Sequence, residues 1–245
     1  MSTFPGVDAE EIESYLHDLS HGVLTVSGRL VDASNATLYA NCEVKTRTLT
    51  CIYKPIAGER PLWDFPDGTL ANREYLTFLF SHWLGLHLVP PTVLRDGPYG
   101  TGMVQLWIDI DESVDLMEFF KEDHPQLRKI ALLDLITNNT DRKIGHLIPT
   151  QDGRVFGCDH GVTFHTEDKL RTVLWQWSLK PFTTEEIELL TLAKMLIATE
   201  KRDVILGLIE EEEVMATISR IDRALTEGVF PEPSEDWPAV PWPPF

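Results

Sequence analysis

Between Asn139 and Gly161 the chain reads NTDRKIGHLIPTQDGRVFGCDHG, and three residues there, Asp141, His146 and Asp159, could do chemistry together. An Asp-Arg pair opens the stretch and Asp-His-Gly closes it. Between them lie two short apolar runs joined by Thr150-Gln151-Asp152-Gly153, whose Asp-Gly pair favours a tight reversal of two strands. The predicted hairpin brings Asp141, His146 and Asp159 toward one end of the ribbon. Two carboxylates and a third polar group, presented just after a helix, are suited to positioning a hydroxyl nucleophile while Mg²⁺ is held against nucleotide phosphates.

The elements that must position these groups are legible in outline. Residues 8 to 19 pattern as an amphipathic helix with Asp8 as its cap and a stripe of Ile12, Tyr15, Leu16 and Leu19. Strands are expected over 22–30, 37–44 and 48–55, the last closing at Lys54 because proline cannot continue a central ladder. After a linker rich in Pro, Gly, Trp and charge (57–68), a helix over 69–84 is capped by Asp67 or Thr69 and stopped by Gly85. Glu74 is the one acid on that otherwise apolar helix. Strands follow at 88–94 and 102–108. Beyond residue 108 the pattern turns helical: 113–121, 125–137 with Pro125 in its first turn, 183–199 opening on a Thr-Thr-Glu-Glu capping signal, 203–212 and 213–227. The acidic run at 210–213 reads as a solvated face. Residues 231–245, rich in Pro and Trp, read as extended and either pack back on the domain or bind a partner. The fold class is α+β, divided at 1–108, 109–230 and 231–245.

Asn139-x-Asp141-Arg142, a polar residue at 146, and Asp159-His160-Gly161 resemble the catalytic and metal-binding motifs of the phosphatidylinositol 3/4-kinase-like superfamily, which includes the HipA-type bacterial serine/threonine kinases. The resemblance covers about residues 22 to 182. That family usually carries Asp-Arg-His-x-x-Asn and then Asp-x-Gly; here Lys143 stands where His is common and His146 where Asn is usual. The resemblance implies a two-lobed protein-kinase-like fold, with an antiparallel-sheet N-lobe (1–108), a helical C-lobe (109–230), and ATP with Mg²⁺ or Mn²⁺ as cofactors. Asp141 becomes the group that orients and deprotonates an acceptor hydroxyl, and Arg142 braces the loop or offsets charge. Lys143 touches the γ-phosphate or stays in solvent. Lys54, at the end of the third strand, takes the phosphate-binding lysine's place, with Glu74 as its partner. Ser34 and Asn35 supply backbone N–H groups to the phosphates or form a plain hairpin turn. Gln105, Leu106 and Trp107 fall at the adenine-reading hinge. His146 and Asp159 hold metal, although imidazole is a softer ligand than Mg²⁺ prefers.

Composition narrows the partners. Lysine and arginine number 21 against 39 acids, a net charge of −18. Such a surface repels nucleic-acid phosphates and anionic leaflets, which argues against a lipid head group as acceptor. No apolar run reaches the roughly 20 residues of a membrane span. Cys42, Cys51 and Cys158 are too few and scattered for a disulfide framework, consistent with a reducing, cytoplasmic setting. A zinc grouping of His146, Cys158, His160 and His165 is available, but at a spacing unlike known zinc patterns. The expected activity is phosphoryl transfer to a protein Ser/Thr or small-molecule hydroxyl. The alternatives are a nucleotide-binding pseudokinase scaffold and nucleotidyl transfer on the same residues.

Overall fold

The computed structural model describes residues 9–30 and 36–245. Helix α1 (Ala9–His21) carries Glu10 and Glu11 in its first turn, where the amide ends of the helix favour negative charge. Its apolar stripe sends Ile12 and Leu19 into the interior. The strands β1 (Val23–Arg29), β2 (Leu38–Glu43), β3 (Thr48–Pro55), β4 (Thr92–Gly97) and β5 (Gly100–Leu106) form one antiparallel sheet in the order β1-β2-β3-β5-β4. Between β3 and β4 runs α2 (Leu70–Trp83), and both α1 and α2 lie against β4 and β5. One sheet face closes over Leu19, Leu24, Cys42, Cys51, Tyr53 and Val104. β4 is an edge strand, which suits a segment entered through Pro90 and Pro91.

The start of α2 differs from expectation. Thr69 precedes the helix, but its hydroxyl donates to the Pro66 carbonyl and caps nothing. The first amides of the helix, Leu70 N–H and Ala71 N–H, donate instead to the Glu59 carboxylate at 3.1 and 2.8 Å. The linker therefore caps the helix it leads into, with negative charge at its amide end.

The remaining helices are α3 (Leu116–Phe119), α4 (Pro125–Thr137), α5 (Thr184–Ala198), α6 (Arg202–Leu206) and α7 (Glu211–Glu227). α3 is one turn rather than the longer helix expected over 113–121, because Asp115 caps it late and it ends at Phe120. α4 keeps the predicted bounds: His124 caps it, Pro125 occupies its first position, and Asn138 takes the left-handed conformation (φ 53°) that ends it. Thr183 and Glu186 form the capping box that opens α5. Glu210 and Glu213 form the one that opens α7; the run 210–213 is solvated at Glu210, Glu211 and Glu212, but Glu213 is buried. Its carboxylate takes Arg73 Nη2 at 2.6 Å, which bolts α2 to α7 through a pair almost without solvent exposure. Arg73 also donates to the Thr163 carbonyl at 2.7 Å, so it does not face the cleft. The larger core fills the space between α2, α4, α5 and α7, with Leu76, Phe80, Leu132, Ile136, Trp177 and Leu190 at its centre. No helix among the described residues is long and apolar enough to cross a membrane.

Candidate active site

β3 ends by presenting Lys54, and α2 presents Glu74 across from it. The lysine donates to Glu74 Oε1 and, at 2.8 Å, to Asp159 Oδ1. Gly102, opposite Pro55 on β5, lets the two strands approach closely at this end, because a Cβ there would overlap the Lys54 carbonyl oxygen. One ammonium thus serves two carboxylates, and the cluster carries surplus negative charge. Burial would lower the Lys54 pKa, but Asp159 and Glu74 raise it, so it stays cationic. Lys54 in turn holds Asp159 well below the usual carboxylate range. The surplus falls on the more deeply buried acid: burial pushes Glu74 up to about 7 against the pull of Lys54, and its Oε2 has no hydrogen-bond partner.

Asp159 lies just past β7 (Val155–Gly157), which pairs with β6 (Leu147–Pro149) in the predicted hairpin. The sharp turn after β7 lies at Asp159 itself, at φ 58°, and not at Gly161. Asp tolerates this left-handed conformation better than most residues do. Gly161 instead gives room: a Cβ there would meet Leu70 Cβ at 3.4 Å and Glu74 Oε1 at 3.5 Å.

Asp141 sits on a loop held from beneath. Its N–H donates to Asn139 Oδ1 at 3.0 Å, and Asn139 Nδ2 donates to Asp134 Oδ1 at 2.9 Å. Arg142 and Asp134, both fully buried, form a paired contact in which Arg142 Nη2 and Nε reach the carboxylate at 2.9 and 3.0 Å. The same guanidinium donates to the Cys158 carbonyl and to His160 Nε2, and so ties the Asp141 loop to the Asp159 turn. Arg142 therefore braces the loop, and Asp134 is a structural partner the motif reading missed. Its signal was a lone acid on an otherwise apolar helix. Burial raises the Asp141 pKa; Lys143, 3.3 Å away, opposes the shift and Asp159 adds to it.

His146 ends a short 3₁₀ turn (Ile144–His146). Burial lowers its pKa to about 4, so at neutral pH the ring is uncharged. Its Nδ1 accepts the Lys143 N–H at 3.4 Å, which leaves the proton on Nε2, and Nε2 lies 3.4 Å from Asp159 Oδ2. As it stands, the ring lies beside Asp159 without hydrogen-bonding to it. Metal ligation through Nε2 would require the proton to move.

A cleft of about 350 Å³ opens beside this cluster, with Lys54, His146 and Asp159 among its lining, and Gln105, Leu106 and Trp107 along one side. Leu30, Ile52 and Ile148 give it apolar walls suited to a flat ring. Gln105 turns its amide to Thr92 Oγ1 at 2.9 Å, a structural bond. Leu106 N–H and Trp107 N–H already donate to the Pro91 and Thr50 carbonyls, so neither offers a free backbone donor to the cleft. Ser34 and Asn35 lie outside the described residues. Among the described residues no three His, Cys, Asp or Glu side chains are grouped to hold a metal ion. His165 turns instead to Lys169 Nζ and the Glu167 N–H, and His160 to Arg142, so the zinc grouping does not assemble. A Mg²⁺ or Mn²⁺ ion held partly by substrate phosphates needs fewer protein ligands. The half-exposed Asp159 carboxylate, the surplus negative charge and the unpartnered Glu74 oxygen fit such a cation.

No family model matches the chain. Among solved structures, the Golgi casein kinase with Mn/ADP bound superposes with a TM-score of 0.59 at 14% identity, over 90% of this chain and 76% of that one. The structure of hydra Fam20 with sugar gives 0.56 at 13% identity, over 91% and 89%. These likenesses establish the kinase-like fold, with its antiparallel sheet and its helical part. Protein Rv2133c of Mycobacterium tuberculosis (strain ATCC 25618 / H37Rv) is 38% identical over 262 aligned residues, which take in 93% of this chain and 94% of that protein. With that identity over nearly the whole length of both, the chain belongs to the family of Protein Rv2133c.

Proposed function

We propose that this protein is an ATP- and divalent-metal-dependent phosphotransferase of the phosphatidylinositol 3/4-kinase-like kind, working between an N-lobe (1–108) and a C-lobe (109–230). The observation that carries this reading is Lys54, held between Glu74 and Asp159 at the end of an apolar-walled cleft. Adenine lies against Leu30, Ile52 and Ile148. Lys54 binds the phosphates, and Glu74 keeps it aimed. Asp159, with His146 beside it, would hold Mg²⁺ or Mn²⁺, which when bound offsets phosphate charge. Asp141 orients the acceptor hydroxyl and takes its proton, and the upward shift of its pKa makes it a better base. The new bond runs from the acceptor oxygen to the γ-phosphorus; the bond from that phosphorus to the β–γ bridging oxygen breaks, and ADP leaves. Lys143 steadies Asp141 and offers a cation near the transferred group.

The test is thermal stabilisation by ATP with Mg²⁺ or Mn²⁺, and again with a chelator, on wild type and Asp159→Asn. A ligand that binds only the folded state raises the melting temperature by mass action. A metal-dependent shift lost in the variant is expected; no shift at saturating nucleotide would sink the proposal. One observation favours a second reading, a nucleotide-binding pseudokinase: the His146 Nε2 that would have to ligate metal carries the ring proton, because Nδ1 accepts the Lys143 N–H. His146→Asn decides between them, because it raises or preserves phosphoryl transfer in a kinase and leaves a scaffold silent.

A further inference from the structure

Residues 237–245 cross the face of the molecule beside Asp141. The Ala239 carbonyl accepts two bonds, from Thr172 N–H at 3.1 Å and from Trp175 Nε1–H at 2.9 Å. Five residues on, the Pro244 carbonyl accepts the Ile144 N–H at 2.8 Å, and a methyl group on Gly145 would touch the Phe245 ring at 3.8 Å. Trp237 lies over Lys169, with its ring centre 4.3 Å from Nζ. Both anchoring sites flank the proposed base. Ile144 and Gly145 follow Asp141 directly in the loop. Thr172 is bridged in parallel to Arg142, through Arg142 N–H to the Arg171 carbonyl and Val173 N–H to the Arg142 carbonyl. The Thr172 N–H points the other way, and 237–245 takes it as an added strand would.

Resting on the kinase reading above, we infer that this track is the acceptor groove, that it is built for an extended polypeptide, and that residues 237–245 occupy it as an internal strap. The backbone groups it presents, Ile144 N–H and Thr172 N–H, recognise a main chain and not a particular small molecule. The present occupant reads WPAVPWPPF, with no Ser, Thr or Tyr. It fills the groove without offering a hydroxyl to Asp141, which is the behaviour of a competitor and not of a substrate. Its seating is shallow on one side: Pro241 is buried and Trp237 half-buried, but Val240, Trp242 and Phe245 stay 39%, 87% and 61% exposed, so its largest outer side chains add little hold against an incoming chain. Its prolines keep it extended and limit its own backbone donors.

The test loosens the strap in the full-length chain with Trp237→Ala/Phe245→Ala and, separately, with Pro244→Gly. It measures phosphoryl transfer from ATP to dephosphorylated casein as an unfolded acceptor, alongside acceptor-free ATP turnover. If the strap is seated nine-tenths of the time, releasing it raises kcat/KM for the protein acceptor about tenfold, while acceptor-free turnover stays level. A synthetic peptide of residues 235–245 added to the loosened variants should reverse the gain competitively with casein. Hydrogen exchange at the Ile144 and Thr172 amides reports whether the strap was released: faster exchange with unchanged transfer overturns the inference, as does a peptide that fails to inhibit. Loss of transfer to casein with small-molecule turnover retained would also overturn it. Should no variant turn over ATP, the kinase reading fails and takes the acceptor assignment with it. Binding of fluorescent 235–245 peptide to the loosened variants but not to wild type would then show that the groove itself stands, and absence of that binding would show that it does not.

Discussion

Two buried charge clusters lie within a few residues of one another, and they are built on opposite principles. Beneath the Asp141 loop, Arg142 faces Asp134 with no solvent exposure on either side; the remaining guanidinium donors go to carbonyl oxygens and His160, and Asp134 also accepts from Asn139 Nδ2. Charge is matched there. At the cleft, Lys54 faces Glu74 and Asp159, two acids to one base, and Glu74 keeps an oxygen without a partner. The first cluster has its charges paired, with only His160 Nδ1 left without a partner, and it holds the chain in place. The second lacks positive charge and faces a cleft, and an incoming cation with its phosphates would balance it. Charge balance, more than burial or residue type, separates framework from site.

The largest effect expected is on the matched cluster. Arg142→Ala strands Asp134 in the interior and should cost about 3–5 kcal/mol of unfolding free energy, measured by urea denaturation. Asp159→Asn should change the same measurement by only about 1 kcal/mol or less, because its carboxylate is half-exposed and Lys54 keeps Glu74; equal losses would erase the distinction. On the cleft side, Lys54→Met should reduce phosphoryl transfer by about 10²–10³-fold with the fold intact, the scale for one well-placed donor to developing charge.

A third test follows the surplus charge by pH. The folded protein holds Glu74 near 7 against an ordinary value of 4.5, so its proton stabilises the fold below about 4.5 and that contribution is lost as pH rises through 7. His146 has the opposite sign: held near 4 against 6.5, it contributes above 6.5, and that contribution is lost as pH falls through 4. Stability of wild type minus Glu74→Gln should therefore fall between pH 4.5 and 7, and of wild type minus His146→Gln should rise over much of that window. Slopes of the same sign would break the picture. The smallest effect is expected at the linker: Glu59→Ala removes the acceptor for two first-turn amides of α2 and should cost about 1 kcal/mol by thermal melting.

What could be read in advance depended on how far the determining partner lay along the chain. β3 and α4 were legible to the residue, since a β-branched run ending in Lys-Pro and an apolar helix between Pro125 and Asn138 carry their own boundaries. The hairpin after His146 was legible from its Asp-Gly turn. The contact between Lys54 and Glu74 was expected only from the order of elements that a family resemblance supplied. Other features had no local signal. Glu59 caps a helix eleven residues away, and Glu213 meets an arginine 140 positions earlier, so an acid that reads as solvated is buried. The left-handed turn falls on Asp159 and not on Gly161 two residues later, although glycine is the residue most able to turn, because sequence alone does not say which residue takes the strain.

The bolt between Arg73 and Glu213 bears on timing. Glu74 is the next residue along α2, so swinging that helix outward would uncouple a cation and an anion that have almost no water to fall back on. A kinase that switches by rotating such a helix keeps its lysine partner waiting offstage. Here Glu74 already meets Lys54, so on the kinase reading proposed above a brake would act on what reaches Asp141 and not on whether that pair is assembled.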